Sequence, residues 1–323
     1  MLNLPGSDPQ RRGIAKLALK IDVDTFRGTR EGVPRLLELL QQHEAGATFL
    51  FSLGYDHTGR AIKRAFRPGF MKKVSRTSVL EHYGIKTLLY GTLIPGPDIG
   101  VECADILRSV RDAGFEVGIH TWDHVKWQDG VATAGAQWTT HQMQLAMRRF
   151  EQIFGEPART HGAAGWQMNI HALRLTQQMG LHYSSDSRGT QPFVPLMRAE
   201  IVACPQLPTT LPTLDELIGR EGITVDNVAN HLLDMTMQPP AHGQGHVYTL
   251  HAELEGGKLA PVFDALLSGW KSQGYDLVTT RELYQSLNME RLPRCELVRA
   301  EVPGRAGLLA MQGPEFLASA VAA

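Results

Sequence analysis

A single distorted (β/α) barrel of about seven parallel strands is the fold the sequence predicts. Three observations carry it. Amphipathic helical stretches that end in a small residue run at once into short apolar strands, and this unit recurs along the chain. The strands read as near-continuous apolar runs, as parallel strands buried on both faces do. No break in composition marks a linker, so residues 1–300 are expected to form one barrel, with residues 301–323 as a C-terminal tail.

Residues 17–24 (LALKIDVD) open the series as the first strand. Residues 34–46 are apolar at helical spacing, end in a glycine suited to a C-terminal cap, and lead into a strand over residues 47–53. The same reading predicts a helix over residues 101–114 before a strand at 115–120, and a helix over 170–180 before a strand at 181–185. Residues 225–237 form the next helix and reach, through a Pro/Gly-rich loop, the strand 246–251. The helix 261–274 and strand 275–280 close the series.

Residues 55–100 break this rhythm and are too long for an ordinary βα loop. Between His57 and Leu80 lie Arg60, Lys63, Arg64, Arg67, Lys72, Lys73 and Arg76 with no acidic residue, interleaved with Phe66, Phe70 and Met71. Such a segment is either a solvated helical hairpin or a surface for anionic lipid headgroups.

The chain has 323 residues, 43% apolar and 20% charged, which is enough to bury a full core. Its net charge of −1 gives no general attraction to polyanions, so nucleic acid is not expected as a partner. Cys103, Cys204 and Cys295 lack metal or redox spacing and fit a reducing compartment. Residues 1–12 are polar and contain Pro5 and Pro9, unlike a secretory signal, and no run approaches the roughly 18 apolar residues needed to cross a bilayer. The expected location is cytoplasmic, with any membrane contact peripheral.

Ligands of such folds sit beyond the carboxyl ends of the strands. The first strand ends in Asp22-Val23-Asp24, and period-two alternation sends both carboxylates to one side. Two acids so close repel unless a cation or shared proton intervenes; a solvated strand end is the competing reading. The third strand delivers His120, with His124 four residues on, a spacing that can chelate one ion if the chain turns helically. His242 and His246 repeat that spacing in a Pro/Gly-rich loop, away from a strand's carboxyl end. A late strand ends in His251, while residues 162–166 and 185–189 are further strand-end segments, the first small enough to let a ligand approach the backbone. One carboxylate and two imidazoles with open positions suit a divalent transition metal that polarises a carbonyl and acidifies water. The second carboxylate could take a proton, and a histidine from the opposite wall could protonate a leaving nitrogen.

In order along the chain, Asp22-Val23-Asp24, His120 and His124, the loop 162–166 and Leu250-His251 resemble the polysaccharide deacetylase family of sugar N-deacetylases over roughly residues 15–285. The resemblance implies a NodB-like barrel in which Asp22 is general base, His251 general acid, and Asp24, His120 and His124 hold one divalent ion, zinc, manganese or cobalt. Many members carry two adjacent aspartates where this chain has Asp-Val-Asp, a form that resembles one branch of the family.

Residues 21–25, 27–29, 118–127, 163–166, 183–189 and 207–213 are similar to the branch that removes formyl from a 4-formamido sugar carried on undecaprenyl phosphate. That likeness implies work at the cytoplasmic face of the inner membrane, against an anionic surface, on a sugar later used to modify lipid A. Ala164, Gly165, Trp166, Asp186 and Arg188 are the substrate-binding candidates. Where the wider family places an arginine to orient the base, this chain has His161, and Arg188 is expected to do that work instead. N-deacetylation of another amino sugar or polysaccharide stays open, as does a non-catalytic module that binds a polyprenyl-phosphate sugar.

Overall fold

The computed structural model describes residues 15–61, 86–240 and 244–316. Its strands, in chain order, are β1 (Lys16–Val23), β2 (Thr48–Ser52), β3 (Glu116–Thr121), β4 (Thr160–His161), β5 (Tyr183–Ser184), β6 (Val194–Met197), β7 (Glu200–Ile201), β8 (His246–His251), β9 (Asp276–Val278), β10 (Arg294–Glu301) and β11 (Leu308–Glu315). Seven form one sheet in the order β5-β4-β3-β2-β1-β8, with β9 beside the start of β1. Every pairing in it is parallel. The expected helices follow the same course, as Val33–Gln42, Ala104–Asp112, Ile170–Gln178, Val228–Met235 and Ala260–Ser272.

Alternation along the strands separates two environments. Ile21, Val23, Phe49, Phe51 and Ile119 join the apolar core shared with the helices. Lys20, Asp22, Leu50, Gly118 and His120 occupy the alternate positions, which face the barrel interior. Asp22 stands level with Leu50 on β2 and with His251 on β8. An irregular segment, residues 205–210, spans the gap between β5 and β8. The Leu207 N–H donates to the Ser184 carbonyl at 2.8 Å, and the Thr210 N–H to the Val247 carbonyl at 3.0 Å. The circuit of walls therefore runs β4, β3, β2, β1, β8, segment 205–210, β5.

Two features depart from expectation. A second, four-stranded sheet runs β11-β10-β6-β7, so the boundary at residue 301 falls inside an antiparallel hairpin and residues 301–316 are not a tail. The physical reason is that the hairpin buries Leu297, Val302, Leu309 and Ala310 against the loops of the barrel, short-range burial that shows no helix–strand rhythm. The long helix Ala136–Phe154, capped by Gly155 in the left-handed conformation, also stands outside the repeating pattern. Of the basic cluster only Arg60 lies among the described residues; the stretch from Lys63 to Arg76 lies outside them, as do residues 1–14, His242 and residues 317–323.

Candidate metal centre and active site

β1 projects Asp24 just past its end, β3 presents His120, and Asp123 turns the chain into the helix His124–Gly130 by accepting a hydrogen bond from the Lys126 N–H at 3.0 Å. His124 thereby opens a helix directly after the strand, and the two imidazoles stack with centroids 5.3 Å apart. Asp24, His120 and His124 each offer a ligand atom within 4.8 Å of the others. Asp24 Oδ1 lies 3.2 Å from His120 Nε2, and Asp24 Oδ2 lies 3.3 Å from His124 Nε2.

Those separations test whether the residues fit an ion. Two ligands about 2.1 Å from one ion at a tetrahedral angle stand about 3.4 Å apart. Asp24 Oδ1 is also buried without a hydrogen bond, so it faces the imidazole without being aligned to accept from it. Burial works against ionising Asp24, but His124, His120 and His251 outweigh it and hold the carboxyl well below the usual range. A carboxylate and two imidazoles converging on one point make a fitting site for a divalent transition metal.

Beneath this group, Glu253 Oε1 accepts from the Asp24 N–H at 3.1 Å, the Thr25 N–H at 2.7 Å and the Thr25 hydroxyl at 2.7 Å. Burial, reinforced by the nearby Asp24 charge, pushes the Glu253 carboxyl well up. On β8, the His251 N–H donates to Glu255 Oε2 at 2.9 Å, and the imidazole meets the edge of Trp166 with centroids 6.5 Å apart. Burial raises Glu255 to about 8.

The cation beside Asp22 is Lys20. Its Nζ lies 2.9 Å from Asp22 Oδ2, and the lysine has 0% and Asp22 3% of its surface exposed. Arg188, expected in that position, instead donates to Glu216 Oε1 at 2.7 Å and to the Leu211 carbonyl at 3.1 Å. The reason is local: the backbone of Arg188 is bridged to Thr209 and Met311, which aims its side chain across the segment that closes the barrel. Asp186 likewise finds its partners within the fold. It is fully buried, with Oδ1 2.6 Å from His161 Nδ1 and Oδ2 accepting from Gln206 Nε2 at 3.1 Å. Burial opposes its ionisation, and His161 with Gln206 holds it below the usual range nonetheless. Ala164 is buried, and Gly165 and Trp166 take left-handed φ values of 59° and 51°.

The polysaccharide deacetylase family matches residues 15–184. The chain belongs to that family. It is 36% identical over 302 residues, 94% of this chain and 96% of the relative, to the probable 4-deoxy-4-formamido-L-arabinose-phosphoundecaprenol deformylase of Shewanella sediminis. The protein of the same name from Wigglesworthia glossinidia brevipalpis is 30% identical, across 88% of this chain and 98% of its own. A solved structure from Mycobacterium smegmatis, assigned as a polysaccharide deacetylase, superposes with a TM-score of 0.59 at 16% identity, covering 94% of this chain and 99% of that one. The fold is thus the expected α/β barrel of NodB type, and the chain is a hydrolase of amide bonds.

Sequence reasoning alone misses Lys20, Glu253, Glu255, Glu216 and Arg305. A lysine inside the apolar run LALKIDV, and acids alternating in HAELEGG, are the available signals for the first three. Arg305 and Glu216 meet only through the second sheet and carry no local signature.

Proposed function

We propose that this protein hydrolyses the formamide of 4-deoxy-4-formamido-L-arabinose linked to undecaprenyl phosphate, releasing formate and the 4-amino sugar lipid destined for lipid A modification and resistance to cationic peptides. The observation that carries the reading is the convergence of Asp24, His120 and His124 at the carboxyl ends of the strands, with Asp22 and His251 in register beside them. The names of the two deformylase relatives, matched over nearly their whole lengths, supply the substrate.

Asp24, His120 and His124 would hold one divalent ion, zinc, manganese or cobalt. When bound, it polarises the formyl carbonyl and acidifies water. Asp22 acts as general base: Lys20 fixes its Oδ2, while its Oδ1 is buried and unbonded, free to take the proton of the attacking water. His251 stands at the same level on the neighbouring strand, and adjacent strands lie about 4.8 Å apart. It hands a proton to the departing nitrogen, and its Nδ1 has no hydrogen-bond partner that would hold it back. Glu255, bonded to the His251 N–H, fixes where that ring leaves the strand.

A polyprenyl-linked sugar lies at a membrane surface, and among the described residues no helix is long and apolar enough to cross one. The reading therefore places the enzyme peripherally on the cytoplasmic face of the inner membrane, with the basic stretch from Arg60 to Arg76 against anionic lipid. The decisive experiment supplies purified protein and metal with the lipid-linked formamido sugar and measures formate. Equimolar formate and amine are expected from the wild type and none from Asp22→Ala; formate release that survives this substitution overturns the assignment of the base.

A further inference from the structure

The ring of Trp166 is gripped on several sides. The Arg188 and Arg305 guanidinium carbons lie 5.0 and 4.8 Å from its centroid, and Lys20 Nζ lies 5.4 Å away. Its Nε1–H donates to Thr209 Oγ1 at 3.1 Å, and Val302 and Leu309 of the C-terminal hairpin pack on it. The two arginines are in turn tied to one carboxylate, Glu216 Oε1, at 2.7 and 2.6 Å, and Arg305 also reaches Thr213 and Asp215. A bulky residue at a φ of 51° is strained, and strain persists only where surrounding contacts enforce it. The hairpin that supplies Arg305 lies outside residues 15–184, the part of the chain the family accounts for.

The position of the ring explains the grip. Following the walls of the barrel, segment 205–210 and β8 stand across from β3, which carries His120. Trp166 is fastened to that far side through Thr209 and His251, and through Lys20 it also touches the partner of Asp22. A carbonyl carbon held between Asp22 and His251, in register on neighbouring strands, would turn its oxygen toward the metal ligands and its nitrogen toward His251. Its remaining substituent, hydrogen in a formamide and methyl in an acetamide, would then face Trp166, which lies against His251 and Lys20. The walls there are closed to solvent: Asp22, His120 and Trp166 are 3%, 1% and 1% exposed.

We propose that Trp166 sets acyl selectivity, admitting formyl and excluding acetyl, and that Arg305 is a positioning residue that keeps the ring from yielding. This rests on the deformylase reading above. The test compares kcat/KM for the N-formyl and N-acetyl forms of the same lipid-linked amino sugar, with formate and acetate binding measured calorimetrically on the same metal-loaded proteins. Wild type is expected to favour formyl and to bind formate but not acetate. Trp166→Leu is expected to narrow the rate ratio by about 10-fold to 200-fold, the range over which a pocket discriminates one carbon, and to bind both acids. Arg305→Ala leaves the ring in place but unclamped, so it narrows the ratio without emptying the core, and added guanidinium restores it; this variant carries the test if Trp166→Leu does not fold. An unchanged ratio and unchanged acid binding in folded, metal-loaded variants overturn the inference. A wild type that cleaves both amides equally overturns it too and spares the hydrolytic reading, whereas a wild type that releases neither acid removes both.

Discussion

Replacing Lys20 with methionine removes the ammonium group that Asp22 touches inside the barrel while keeping most of the side-chain volume. At 2.9 Å, opposite charges attract by about 6 kcal/mol at an effective dielectric of 20. Much of that is offset by the cost of drying both ions, so the intact pair contributes little net stability. Removing one partner is different, because the carboxylate then stays buried with its compensation gone, at a cost of about 3–5 kcal/mol. Chemical denaturation of the metal-loaded protein should show that loss as a lower midpoint at unchanged slope. The double variant Lys20→Met with Asp22→Asn should recover most of it, since no charge is left unpaired. Turnover should collapse in Lys20→Met with metal stoichiometry intact, because Asp24, His120 and His124 are untouched. A Lys20→Met protein within ~1 kcal/mol of wild type and with full kcat would refute the reasoning.

Chelation should lower the Tm, and re-addition of metal should restore it; an ion present at a thousand times its Kd stabilises by about 4 kcal/mol, and Asp24→Ala should show no such response. Gly28→Ala would place a Cβ 2.0 Å from Glu253 Oε1, displacing the carboxyl that holds the Asp24 and Thr25 N–H groups. We expect about 1–3 kcal/mol of destabilisation together with weaker metal binding by titration, and an unchanged affinity would show that Glu253 does not orient Asp24. Glu255 has a folded pKa of about 8 against an ordinary 4.5, so between those values the fold retains a proton that the unfolded chain releases. Its contribution is therefore fully present below about pH 4.5 and is lost as pH rises to about 8, at about 1.4 kcal/mol for each pH step of one. Glu255→Gln should flatten the fall in stability over that window, as read by denaturation at a series of pH values.

The periodic parts of the chain are readable because helix and strand periods are local, and so are strand-end residues such as Asp24, His120 and His251. Long-range pairing is not. Arg188 is expected beside the base because a carboxylate needs a cationic partner, which is sound chemistry, but the nearest cation is two residues away on the same strand. Lys20 is hard to recognise because a lysine within apolar residues reads as an interruption of the pattern, and only the barrel interior, where positions 20 and 22 face the same way, turns it into a partner. The second sheet is hidden for another reason: β6 and β10 pair in parallel across about a hundred residues, and nothing in either strand names its mate.

Charge pairing also decides how a lipid-linked sugar phosphate would be held. Lys20 is matched by Asp22, and Arg188 with Arg305 is matched by Glu216 with Asp215, so these three cations are neutralised within the fold. They stabilise the walls of the site and have little net field to offer a phosphodiester outside it. Attraction of the substrate's phosphate is then expected from the basic stretch Lys63 to Arg76, which contains no acid of its own. The salt dependence of kcat/KM separates the two sources, because screening weakens interactions between exposed charges most. Replacing Lys63, Arg64 and Arg67 with glutamine should flatten that dependence for the lipid-linked substrate, while Arg305→Ala should leave its slope as in wild type. A slope flattened equally by Arg305→Ala would mean that the arginine pair meets the phosphate directly and that its carboxylate partners give way when substrate arrives.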